Sequence, residues 1–391
     1  MRQTCSILST YAADVSGVCS ALYEMGGMTV MHDASGCNST YNTHDEPRWY
    51  NMPSLVFISA LSETEAMLGD EGKVIDDISR AALELHPRFI AVAGTPIPMM
   101  MGTDFKGLAR DIEAVTGIPT FGFATNGMHS YTSGAGAALS AIADRFCDHD
   151  IKAVKAERTL LNLLGVTPLD FSITGNVSAM KKYFSENGFD VQSVWAMDSD
   201  WEELMNSGRA NVNVVVSSSG LPLAETLKKI YGTPYVVGIP AGKKFAAHFA
   251  DEVRRAAEHN IDINTVLCPE ECGLGKKIYT VGEAVWAMSA ASALRCDFGC
   301  SNVSAIAAAD GGESLLGTGD LCLLNEDEIF SELEDADLVV ADPLFKPALR
   351  GRDARFISFP HEGYSGRIFR KDIPIMVGEA FNRWFEGELE K

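Results

Sequence analysis

The chain has 391 residues, 46% hydrophobic and 22% charged. That composition supplies several apolar cores, enough for two or three domains, and excludes a disordered chain, a collagen-like repeat and a small disulfide scaffold. Lys+Arg 32 against Asp+Glu 53 leaves a net charge of −21, which repels nucleic-acid phosphates and anionic membrane surfaces.

Short β-branched runs alternate along the chain with helical stretches. A first set of strands is expected at 28–32, 54–60, 89–93 and 119–123, with helices over 70–85, 105–116 and 134–164. A second set is expected at 170–173, 191–195, 212–217 and 235–239, separated by helices over 178–187, 221–231 and 243–260. A third set follows at 277–280, 297–301, 321–324, 338–341 and 356–359, and a helix over 371–388 ends the chain. This alternation implies parallel sheets covered on both faces. Three clusters imply three doubly wound, Rossmann-like α/β domains, spanning 1–165, 166–268 and 269–391. In such sheets ligands bind beyond the carboxyl ends of the strands, so the turns there are the places to look for function.

The cysteines number nine, an odd count. The amino-terminal residues lack the apolar core of a secretory signal, and no apolar run approaches the ~18 residues of a membrane span. The expectation is a cytoplasmic protein with reduced thiols and with neither a nucleic-acid nor a membrane partner. No nucleotide signature is complete. Gly134-Ala135-Gly136 lacks the third glycine of a dinucleotide fingerprint, and Gly273-Leu274-Gly275-Lys276-Lys277 is too short for a phosphate loop. No nucleotide is therefore expected on this chain.

Residues 14–42 hold a helix bearing Cys19, a strand ending at His32-Asp33, and a Gly36-Cys37 turn. Gly36 lets the backbone approach a bulky group, and a Cys37 thiolate at a strand-to-helix turn suits an iron–sulfur cluster. The competing reading is a free thiol buried at a tight turn. Residues 93–103, AGTPIPMMMGT, read as a soft apolar interface or cofactor-cavity wall, or as core filler. His129 is a ligand, a proton donor or a helix-start hydrogen-bonding group. The pairs Cys268/Cys272 and Cys296/Cys300 lack zinc-site spacing. Cys300 is expected inside a strand, and Cys147 and Cys322 as buried thiols. His361, in FPHEGYSGRIFR, belongs to a cavity wall or to a simple loop.

The order of these motifs resembles the nitrogenase component 1 family. Val15-Ser16-Gly17, Ala21-Leu22, His32 and Gly36-Cys37 are similar to the family's first-domain motifs. Thr43-His44-Asp45-Glu46-Pro47 resembles its His-x-x-Glu-Pro segment, and residues 126–134 resemble its Gly-Ser-His-x-Thr-Gly turn. Residues 361–366 resemble a late His-Gly-Tyr-x-Gly motif with one extra residue. The resemblance implies three doubly wound domains and a [4Fe–4S] cluster bridging two subunits. Cys37 and Cys19 would come from each subunit, with Cys5 as a substitute and Asp14 as a possible oxygen ligand. Gly36, Thr95 and Pro96 would line that cluster. It also implies a two-fold partner, itself or a paralogue, and a separate ATP-hydrolysing iron protein. His129 and His361 are then candidate proton donors or ligands in a cavity among the three domains. The cysteine that anchors the catalytic metallocluster of the family's α subunit falls at Ser217-Ser218-Ser219, so a molybdenum or vanadium cofactor is not expected in the usual way. The implied activity is that of the catalytic component of an ATP-dependent reductase. The alternatives are a scaffold or carrier for metallocluster or tetrapyrrole assembly, and a metal-free binding protein.

Overall fold

The structure, a computed structural model, describes residues 7, 13–36, 38, 46–266 and 275–391. Cys5, Cys37, Cys268 and Cys272, and the expected boundary at 268, lie outside the described residues.

The first sheet contains β1 (Met28–Met31), β2 (Val56–Ile58), β3 (Ile90–Ala93) and β4 (Thr120–Phe123), in the order β2-β1-β3-β4. Every pairing is parallel. All residues of β1 and β3 are buried, as continuous apolar runs in a doubly covered sheet must be. Its helices are α1 (Asp14–Leu22), α2 (Glu63–Leu68), α3 (Gly72–Leu85), α4 (Pro96–Met101), α5 (Phe105–Thr116) and α6 (Tyr131–Phe146). Helices α3 and α5 turn Val74, Ile78, Leu108 and Ile112 onto one core. Helices α1 and α6 contribute to the larger core on the other side.

The second sheet contains β5 (Thr159–Val166), β6 (Phe189–Ala196), β7 (Val212–Val215), β8 (Tyr235–Val237) and β9 (Ile263–Asn264), in the order β6-β5-β7-β8-β9. It carries α7 (Pro168–Phe171), α8 (Asn176–Glu186), α9 (Trp201–Met205), α10 (Leu221–Tyr231) and α11 (Lys244–His259). The third sheet contains β10 (Ile278–Gly282), β11 (Val303–Ala307), β12 (Leu321–Cys322), β13 (Leu338–Ala341) and β14 (Arg355–Ser358), in the order β12-β11-β10-β13-β14. It carries α12 (Ala284–Phe298), α13 (Glu326–Glu332), α14 (Glu362–Ser365) and α15 (Glu379–Glu390). The three doubly wound sheets agree with the expected fold class.

Several elements differ from expectation. The helix expected over 134–164 stops at Phe146, and Thr159–Val166 forms the second strand of the second sheet. A run such as Leu160-Leu161-Asn162-Leu163-Leu164 has no periodicity to separate a buried strand from a helix. The expected boundary at 165 falls at the end of this strand. The strand expected at 170–173 is the helix α7, started by Pro168 and capped by the Thr167 hydroxyl. The strand expected at 297–301 is the end of α12, stopped by left-handed Gly299, so Cys300 lies in a loop. The last helix starts at Glu379 because Pro374 and positive-φ Gly378 interrupt the chain before it.

Helices α1 and α6 cross with their backbones in contact. A Cβ on Gly17 would overlap the Tyr131 carbonyl, and one on Gly134 would overlap the Asp14 carbonyl. These glycines carry the two first-domain motifs, and their requirement is steric. Gly134→Ala should therefore destabilise the protein by about 1–3 kcal/mol, read as a lower denaturant midpoint at unchanged slope.

Candidate functional site

The switch point of each sheet lies between the two strands whose connections leave in opposite directions. In the first sheet it lies between β1 and β3. The loop after β1 begins with buried His32 and Asp33. Thr95, after β3, donates from Oγ1 to the His32 carbonyl at 2.8 Å and ties the two strand ends together. Asp33 accepts from the Ala34 amide and from Asn38 Nδ2, both at 2.8 Å. This pins both ends of the turn containing Gly36. A Cβ on Gly36 would meet no heavy atom of the described residues within 4 Å. Pro96 is exposed at the first position of α4.

Cys19 offers no such opening. It is fully buried among the apolar residues of α1, and burial, with Glu46 nearby, pushes its thiol well above the ordinary range. A group at a subunit interface reaches it only if α1 unpacks. Asp14 is also committed. Its carboxylate accepts from the Val15, Asn126 and Gly127 amides at 2.8, 3.0 and 2.8 Å. Glu46 belongs to a buried ionic network. Arg48 Nε donates to it at 2.7 Å, while Arg48 also reaches Glu24 at 2.9 Å and the Ser20 carbonyl at 2.7 Å. Glu46 here holds a loop against α1. Among the described residues, no group of three or more His, Cys, Asp or Glu could hold a metal ion.

His129 lies where all three domains meet. The Asp14 amide donates to its carbonyl at 3.0 Å, and its Nδ1 lies 3.0 Å from Asp310 Oδ2. Asp310 follows β11 and also accepts from the Ser130 amide at 2.9 Å, capping α6 from another domain. The Thr132 hydroxyl donates to the Asp310 carbonyl at 2.7 Å. A cleft of about 620 Å³ opens here. His129 and Thr132 line it from the first domain, Ser218 and Pro222 from the second, and Asp310 and Glu313 from the third. An imidazole oriented by a carboxylate at the rim of such a cleft can donate or accept a proton. His129 is 58% exposed on its side chain, so this proton exchanges with solvent.

His361 does not join His129. It is buried, and its Nε2 lies 3.7 Å from Asp170 Oδ1. Asp170 accepts from the Tyr131 and Thr167 hydroxyls, both at 2.6 Å. Glu283, after β10, accepts from the Ser218 amide at 2.9 Å, and burial together with Asp170 pushes its carboxyl up. Sequence reasoning passed over Asp310, Asp170 and Glu283. Only Asp310 left a signal, the Asp-Gly-Gly turn that closes the apolar run 303–309.

A sequence profile described as "Nitrogenase component 1 type Oxidoreductase" matches residues 15–271. The chain belongs to the nitrogenase component 1 family. Among curated family members, it is 28% identical over 186 residues to the nitrogenase iron-molybdenum cofactor biosynthesis protein NifE of Clostridium pasteurianum, covering 46% of this chain and 38% of that one. It is 26% identical over 190 residues to the nitrogenase molybdenum-iron protein alpha chain of the same organism, covering 48% and 34%. To NifE of Rippkaea orientalis it is 23% identical over 289 residues, covering 67% and 59%. The chain thus matches between a third and three fifths of the length of these relatives. Among solved structures, nitrogenase Cp1 at pH 6.5 superposes with a TM-score of 0.69 at 13% identity, covering all of this chain and 93% of that one. The same protein at pH 5 gives 0.63 at 16% identity. That likeness is one of fold. No helix among the described residues is long and apolar enough to cross a membrane.

His32 supplies a pH dependence. Burial holds its pKa below the usual 6.5, and its Nδ1 meets the Ser59 hydroxyl at 2.8 Å. The folded state favours the neutral ring, so this stability is present above the unfolded value and is lost as pH falls through the lowered folded one. Denaturant midpoints should drop from pH 7 to 5, and the slope should flatten in His32→Phe, which keeps the edge-on packing against Phe105.

Proposed function

We propose that this chain is the catalytic component of a nitrogenase-like, ATP-dependent reductase. Electrons would come from a separate iron protein that hydrolyses the ATP. They would pass through a [4Fe–4S] cluster shared by two component 1 subunits, identical or paralogous. The observation that carries the catalytic reading is the His129–Asp310 pair at the rim of the three-domain cleft. A carrier of preassembled clusters has no need of an oriented, solvent-exchanging imidazole, whereas reductive chemistry on a small molecule needs protons delivered with the electrons.

The cluster would supply single electrons, and a cubane requires four ligands. Cys37 of each subunit is the ligand whose neighbours suit the role, with Gly36 and Thr95 shaping the approach. Cys5 is the second candidate on each chain, because the buried Cys19 is poorly suited. Exposed Met67, Leu68, Met99, Met100 and Met128 follow the carboxyl ends of β2, β3 and β4, on the same edge as the Gly36 turn. We assign this soft apolar face to the two-fold partner. His129 would protonate a substrate in the cleft while Asp310 orients the ring.

The scaffold or carrier reading is favoured by one finding, the recurrence of NifE, a cofactor biosynthesis protein, among the relatives. Anaerobic purification with iron analysis, followed by MgATP-dependent electron flux from a reduced iron protein, separates the two. The reductase reading expects about four irons per dimer, abolished in Cys37→Ala with the fold retained. It expects His129→Asn to keep its iron and to lose about 100-fold in flux to substrate. Transfer of the bound cluster to an apo-acceptor, with no substrate-dependent flux, would replace it with the carrier reading. Full iron in Cys37→Ala would overturn the ligand assignment.

A further inference from the structure

The walls of the three-domain cleft carry fixed charge of one sign. Asp310 and Glu313 line it, and among the described residues no lysine or arginine does. Arg2 is the only Lys or Arg of the sequence outside the described residues. Two carboxylates face at most one imidazolium, that of His129, so at least one negative charge is left uncompensated. Glu313 supplies it. Asp310 is engaged by the His129 ring and the Ser130 amide. Glu313 accepts from the uncharged Gly311 amide, at 3.2 and 3.0 Å on its two oxygens, and no cation pairs with it among the described residues.

The turn that carries both acids is sterically fixed. Gly311 has a φ of 89°, in the left-handed region, and a Cβ on Gly312 would lie 2.3 Å from that of Ala284. The turn is therefore seated against the start of α12, with Glu313 in the cleft wall. Its field reaches a neighbouring thiol. Cys322 Sγ lies 3.9 Å from Glu313 Oε1, and burial, reinforced by Glu313 and Asp310, pushes that thiol up. Glu283, behind Ser218, adds no fixed charge to this count, since burial favours its neutral form. Ala137, Pro222 and Leu324 add apolar wall.

We propose that Glu313 sets the specificity of this cleft, favouring a small organic substrate that is uncharged or cationic over carboxylates and phosphates. An acid-bearing tetrapyrrole falls in the disfavoured class. An anion brought beside Glu313 meets no lysine or arginine to offset the repulsion, whereas an ammonium or amidinium head gains from the same carboxylate. Its apolar body would lie on Ala137, Pro222 and Leu324. Glu313 is exposed, so water screens it and the selection is several-fold, not absolute. Charge selection here rests on the cleft being the substrate site, as proposed above, and on neither a cluster nor an iron protein.

The test places a thiol in the cleft and reads the sign of the field. Ala137→Cys, at an exposed position of α6, is labelled in the full chain with a trimethylammonium and with a sulfonate methanethiosulfonate. The rate at that position is read by peptide mass spectrometry. Each rate is divided by that of the same reagent on a free cysteine peptide, and the ionisation of the thiol itself cancels in the ratio. The cationic reagent should be favoured about 5-fold or more. Adding Glu313→Gln, which keeps an acceptor for the Gly311 amide, should cut that preference about 3-fold. A ratio near unity, a ratio unmoved by Glu313→Gln, or a thiol that neither reagent reaches overturns the proposal; Leu324→Cys stands in if Ala137→Cys does not fold. Benzamidinium at tens of millimolar should slow labelling by the uncharged methyl reagent more than the near-isosteric benzoate does, and equal or reversed protection overturns the selection. None of these readouts needs turnover. A chain without iron or flux that keeps the charge preference sinks the reductase reading alone, and flux in a chain without the preference sinks the charge selection alone.

Discussion

The contact between α1 and α6 sets the positions of the polar groups at the heart of this protein. Two backbones touch through Gly17 and Gly134, with no side chain between them. That closeness brings the Asp14 carboxylate onto the Asn126 and Gly127 amides, and the Asp14 amide onto the His129 carbonyl. His129 is thereby fixed at one end, and Asp310 fixes its ring at the other. Tyr131, the first residue of α6, is aimed at Asp170 by the same crossing. A small shift of α6 would disturb the cleft and the buried junction together.

Burial of acid is the second theme. A chain with a net charge of −21 places several carboxylates fully or half inside, where they accept from backbone amides across domain boundaries. Asp310 caps α6, Glu283 holds the Ser218 loop, and Asp297 accepts from the Lys243, Lys244 and Phe245 amides at the start of α11. Each charge is dispersed over peptide N–H dipoles. The single buried cation network, Arg48 with Glu46 and Glu24 among the described residues, does a similar task through direct pairing.

The sequence disclosed the fold class because the strands are short, β-branched and bounded by turn residues. Helices α5 and α10 were legible to the residue, since Asp104 and Gly117 bracket one and Pro222 and Gly232 the other. Strand β5 was hidden because its leucines have no period, and α7 because four residues are too few to show one. The Gly36 turn and His129 stood out as motifs. Their partners did not, since Asp310 lies 181 residues from His129 in the chain and only folding makes it a neighbour. Cys19 illustrates the converse. The resemblance offered it as a ligand, yet the helix face it occupies points into hydrocarbon.

That placement has a consequence for handling the protein in air. Alkylating reagents and peroxide attack the thiolate. Burial keeps Cys19 protonated and pushes Cys147 up to about 12. Both sulfurs are shielded spectators to oxygen, so colour or mass changes on exposure would report on the remaining cysteines, and mapping those adducts would trace which thiols the folded chain leaves reachable.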